Sequence, residues 1–173
     1  PKDRYIEYQI HKSIQEARGF DLLTMGKPEG PGCYCYVNNV LRSVMSKLIK
    51  DYDYIVIDNE AGLEHLSRRT TREADVLLAV SDATAVGLKA VRRISQLASE
   101  LKIKTVKKLL LVNRLDKPIG ADKVKGMDLD YIGNIPLDKE ITELSLEGDS
   151  LLGLGKNAKS IKALEKIGEK IWS

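Results

Sequence analysis

Four short stretches hold the side chains best suited to chemistry. GPGCYCYVNN (30–39) contains both cysteines of the chain, Cys33 and Cys35, one residue apart. A disulfide across one intervening residue closes a small strained ring. Two thiolates are also too few for a closed four-ligand site. A two-fold dimer would bring the same loop in twice and supply four sulfurs, which suits zinc or an iron–sulfur cluster, whereas Ni(II) tends toward square-planar geometry. The other reading of the pair is two small buried apolar residues, common for free cysteine. DNEAG (58–62) follows the apolar run YIVI: Asp58 there can hold magnesium through water, and Gly62 lets a backbone N–H approach a phosphate oxygen. NRLD (113–116) closes LLLV: the Asn113 amide can both donate and accept along a purine edge, and Asp116 could accept from guanine. In NIPLD (134–138), Pro136 and Leu137 could wall a base, or Pro136 simply ends a strand and Asp138 caps the next helix.

These stretches need elements to position them, and hydrophobic periodicity supplies candidates. Residues 3–18 carry isoleucines at four-residue spacing and predict a helix, followed by a buried strand at FDLLTM (20–25). A helix is expected from about Val37 to Lys50, then strands at YIVID (54–58), VLLAVSD (76–82), LLLVN (109–113) and YIGNIP (131–136). Helices are expected over 86–102 and 157–172. Strands apolar on both faces, alternating with helices, predict an α/β fold with a mostly parallel sheet and helices on both faces, built as one domain over residues 1–173. In such sheets ligands bind at the carboxyl ends of strands, where Asp58, Asn113 and Pro136 all fall.

Composition narrows the class. Hydrophobic residues make up 43% and charged residues 31%, as in soluble globular chains. No apolar run reaches a membrane span, and two cysteines make no disulfide framework, so a cytoplasmic setting is expected. A net charge of +3 with 5% aromatics argues against nucleic acid as a partner.

In this order, the elements resemble the deviant-Walker P-loop ATPases: the MinD and ParA proteins, the nitrogenase iron protein, and the CooC-type accessory ATPases that serve nickel insertion into carbon monoxide dehydrogenase. PEGPGCYC followed by NNVLR, then DNEAGLEHLSRRT, most closely resembles the CooC type. The resemblance implies ATP or ADP with Mg2+, Zn2+ or Ni2+ on the C-x-C pair, and a homodimer closing on nucleotide. It also implies carbon monoxide dehydrogenase as client. Asp58 would be the acid near magnesium, Gly62 the γ-phosphate sensor, Asn113 the adenine contact, and Pro136 with Leu137 the base wall. Cys33 and Cys35 would be metal ligands shared across the dimer.

One departure is large. No G-x-x-x-x-G-K-[ST] phosphate loop occurs in the 173 residues. The expectation is therefore the C-terminal portion of an ATPase, inactive alone, whose P-loop segment lies before Pro1. Two alternatives stand beside it. The basic amphipathic helix at 156–173 would suit a MinD-type positioning ATPase at membranes, although such a face normally packs on the sheet. An iron–sulfur electron-transfer ATPase is disfavoured because no cysteine follows Cys35.

Overall fold

The computed structural model describes residues 2–24, 35–59 and 73–172. They fall into two compact units, Pro1–Glu60 and Ala61–Ser173.

In the first unit, α1 (Lys2–Lys12) leads into a hairpin of β1 (Ile14–Ala17) and β2 (Phe20–Leu23). The predicted helix over 3–18 thus stops at Ser13, whose hydroxyl donates to the Gln9 carbonyl at 2.7 Å. Gly19, at φ +90°, makes the tight turn that returns β2 antiparallel to β1, pairing Ile14 with Leu23 and Ala17 with Phe20. The FDLL strand is present but not buried: Phe20 is 63% exposed. A two-stranded hairpin has no second layer of its own to cover it. Helix α2 (Cys35–Leu48) continues into a 3-10 turn, Ile49–Asp51. Among the described side chains of α2, Val44 is buried, and the Lys47 ammonium meets the Glu7 carboxylate of α1 at 2.5 Å. That pairing holds the Glu7 carboxyl below its ordinary range.

The expected strand at YIVID is not formed. Residues 52–59 carry no strand, and Tyr54, Val56 and Ile57 are exposed. A strand needs a neighbour for its N–H and C=O groups, and no described strand is laddered to this segment.

In the second unit, β3 (Glu73–Ser81), β4 (Lys104–Asn113) and β5 (Asp130–Ile135) form a parallel sheet in the order β3-β4-β5. The crossovers are α3 (Ala85–Glu100) and the short α4 (Ala121–Val124). Beyond β5 come α5 (Lys139–Glu147), a 3-10 turn at Leu151–Gly153, and α6 (Lys159–Trp172). Alternation along β4 builds two cores. Leu110 and Val112 pack with Ala79, Leu129 and the α3 residues Leu88 and Val91. Leu109 and Leu111 pack with Ile132 and the α6 residue Ile167. Helices therefore cover both faces, as the sequence predicts.

Helix α3 starts at Thr84, whose hydroxyl accepts the Gly87 N–H at 3.0 Å. Its buried stripe is Leu88, Val91, Ser95 and Ala98. Ser95 is tolerated there because its hydroxyl donates to the Asp128 carbonyl at 2.9 Å. The apolar face of α6 lies on the sheet through Ile167 and Ile171. Among the described residues, no helix is long and apolar enough to cross a membrane.

Candidate functional site

The carboxyl ends of β4 and β5 bring three of the sequence-predicted residues together. Asn113 ends β4 directly opposite Ile135, and Pro136 and Leu137 follow at once. Asn113 is half-buried, and its side-chain oxygen accepts the Arg114 N–H at 2.9 Å. Arg114 is one of two non-glycine residues described at positive φ, +57°, a left-handed step directly after β4. The Arg114 N–H bond uses one of the two lone pairs of the Asn113 amide oxygen.

The two loops that leave these strands are tied to each other. The Leu115 N–H donates to the Ile135 carbonyl at 3.0 Å, and the Leu115 carbonyl accepts from the Asn134 amide. Asn134 is in turn fixed by the Tyr131 hydroxyl, which donates to its oxygen at 3.0 Å. Residues three apart on a regular strand face opposite sides, so Tyr131 and Asn134 meet only because β5 is bulged. Tyr131 pairs with Leu110 and Gly133 with Leu111, leaving Ile132 as the extra residue. Gly133 sits at φ +154°, and a Cβ there would lie 3.3 Å from the Ile167 side chain. The backbone angle favours glycine, and a Cβ would also require the Ile167 side chain to give by a few tenths of an ångström.

Pro136 is half-buried and Leu137 is 54% exposed. Asp138 caps α5, accepting the Glu140 N–H at 3.2 Å, and also accepts the N–H and hydroxyl of Ser160 at 3.0 and 2.8 Å. These bonds, the Ser160 N–H foremost, hold the Asp138 carboxyl below its ordinary range. Behind β3, Asp82 accepts the Thr84 hydroxyl at 2.6 Å and its N–H at 3.0 Å. Those two bonds lower its carboxyl pKa, and the nearby Arg114 cation adds to the effect.

Asp58 is exposed, in the first unit, and lies on the strandless segment 52–59. Gly62 and Cys33 lie outside the described residues, and Cys35 is described only as the first residue of α2. Among the described residues no group of three or more histidine, cysteine, aspartate or glutamate side chains could hold a metal ion. Sequence reasoning missed Asn134, Arg114 and Ser160. The first stands inside the quoted NIPLD motif, but its role depends on the bulge, which only the Gly133 position hints at. Ser160 reads as an unremarkable residue of an amphipathic helix, yet it is 1% exposed.

No family model matches the chain. An uncharacterized ATP-binding protein of Methanocaldococcus jannaschii is 44% identical over 171 residues, a match covering 96% of this chain and 67% of that protein. The carbon monoxide dehydrogenase accessory protein CooC of Rhodospirillum rubrum is 29% identical over 161 residues, which cover 87% of this chain and 60% of CooC. The chain thus spans 67% of the length of the first relative and 60% of that of CooC. The crystal structure of the cell division ATPase MinD of Pyrococcus furiosus superposes with a TM-score of 0.69 at 21% identity, over 98% of this chain and 74% of MinD.

Proposed function

Because the chain belongs to the family of ATP-binding proteins represented by the Methanocaldococcus jannaschii relative, with a fold shared with the MinD ATPases, we propose that its β4–β5 strand ends bind the base of ATP. One observation carries this reading: Asn113 stands in register with Ile135 on adjacent parallel strands, next to Pro136 and Leu137, in loops cross-tied through Leu115. A purine needs an edge to hydrogen-bond and an apolar face to lie on. Asn113 offers the first, Pro136 and Leu137 the second. Asp116 is exposed in the loop after Asn113, so guanine is the competing base.

The phosphates would be held elsewhere. Asp58 would help bind Mg2+ and Gly62 would approach the γ-phosphate. The phosphate loop, absent from these 173 residues, would come from a segment outside them. Magnesium, when bound, would neutralise phosphate charge. On this reading the 173-residue chain alone binds ATP weakly and does not hydrolyse it, while the whole protein is an ATPase. The test is calorimetry of ATP and GTP on the whole protein and its Asn113→Ala variant. Loss of one base-edge donor should weaken ATP binding about tenfold. An unchanged affinity removes Asn113 from the base site.

The finer reading is an accessory role in metal insertion. It is supported by the C-x-C pair, Cys33 and Cys35, and by the similarity to CooC over 161 residues. Two copies in a homodimer would offer four thiolates for Zn2+ or Ni2+, with carbon monoxide dehydrogenase or a like enzyme as client. Metal analysis of the whole protein beside the Cys33→Ser, Cys35→Ser double variant, with and without ATP, tests it. Equal metal content in both proteins removes it.

A further inference from the structure

We infer that Asp138 is a positioning residue for the base: its carboxylate clasps the first turns of α5 and α6 and so fixes the far end of the Pro136–Leu137 wall. This rests on the base-binding reading above.

The wall is a short span between two anchors. At its near end the Ile135 carbonyl accepts the Leu115 N–H at 3.0 Å, tying it to the loop that follows Asn113. Pro136 has a fixed φ and no N–H, so it adds stiffness but no tether of its own. Leu137 is 54% exposed, too open for packing alone to set its position. The far end therefore depends on Asp138.

The Asp138 carboxylate divides its two oxygens between two helices. Oδ1 accepts the Glu140 N–H at 3.2 Å, and Oδ2 accepts the Ser160 N–H at 3.0 Å and hydroxyl at 2.8 Å. The first contact would suffice as an ordinary helix cap. The other two reach 22 residues along the chain to a side chain that is 1% exposed. The intervening segment is closed by a parallel contact, Gly155 N–H to the Glu140 carboxylate at 3.2 Å. A base arriving at Leu137 thus meets a span already ordered by α6, and ordering it at binding is not required. Helix α6 is itself anchored under β5 by Ile167 on Gly133. The base site and the last helix form one mechanical unit.

A purely structural clasp and a positioning clasp differ in which ligand they affect. The experiment measures ATP and inorganic triphosphate binding to the whole protein and to its Asp138→Asn, Ser160→Ala and Ser160→Thr variants, by calorimetry. Asp138→Asn should weaken ATP about tenfold while leaving triphosphate within about twofold. Ser160→Ala should shift ATP in the same direction by less, and Ser160→Thr, which keeps both donors, should bind as the parent does. Parent-like ATP binding by Asp138→Asn, or equal weakening of ATP and triphosphate, overturns the proposal. If Asp138→Asn does not fold, Ser160→Ala is judged by the same two ligands. If the parent and Asn113→Ala both bind ATP no better than triphosphate, base binding itself fails and the positioning role falls with it. Parent preference for ATP that Asn113→Ala loses and Asp138→Asn keeps overturns the positioning role alone.

Discussion

YIVID (54–58) and LLLVN (109–113) are the same word in sequence: an apolar run ending in a polar residue suited to a ligand. Only the second is a strand. LLLVN forms the end of β4, between β3 and β5, with Leu110 and Val112 fully buried. YIVID carries no strand, and Val56 is 83% exposed. By side-chain type YIVID, with its Tyr, Ile and Val, has the higher β propensity of the two. What decides is the company: β4 has a ladder on each side, so its backbone groups are paired and its two faces are covered by α3 and α6. An apolar run specifies a strand only when neighbours supply those partners.

The strongest way to break this contrast is to truncate one side chain in each segment. Leu110→Ala in the 173-residue chain should cost about 2–5 kcal/mol, since it opens a cavity at a fully buried site. Val56→Ala should stay within about 0.5 kcal/mol, as for exposed positions. Urea unfolding followed by far-UV circular dichroism reads both. Comparable losses would mean that YIVID is packed in solution as tightly as β4.

A smaller effect is expected where β4 and β5 fit each other. Gly133→Val adds a branched Cβ at φ +154° and against Ile167, at 3.3 Å in the glycine geometry. The cost should be about 1–3 kcal/mol. Coupling to Ile167→Ala in a double-mutant cycle separates the two causes. Full recovery in the double variant would assign the cost to packing alone, and none would assign it to the backbone angle.

The same contrast explains what could be read before the structure. Helices α3 and α6, and the three parallel strands, follow from periodicity, because each buries a regular stripe within the second unit. The position of Asn113, Pro136 and Leu137 at the ends of β4 and β5 was legible as well, since the apolar runs stop there. The end of α1 at Lys12 was not, because the Gly19 turn that takes residues 14–17 into a hairpin overrides a continuous helical pattern. Asn134 and Ser160 were hidden for another reason. Their roles come from the β5 bulge and from a contact across 22 residues, and neither leaves a periodic trace. Ser95 shows the same limit: a polar residue on a buried stripe makes sense only with the Asp128 carbonyl in view.

The finest test concerns the acids that follow the two regions, Asp138 after β5 and Asp58 after YIVI. The Asp138 carboxyl is held below its ordinary value of 3.8 by the Ser160 N–H and hydroxyl and, further down, the Glu140 N–H. A group whose folded pKa is depressed adds stability above its unfolded pKa and loses it as the pH falls through the folded one. The denaturation midpoint of the parent should therefore exceed that of Asp138→Asn by a constant amount from neutral pH down to about pH 5, with the gap closing below about pH 4. Asp58→Asn, at an exposed position on the strandless segment, should move the midpoint little. A parent-to-Asp138→Asn gap that widens on acidification would contradict the clasp, because protonation would then be strengthening a contact that depends on the carboxylate accepting three hydrogen bonds.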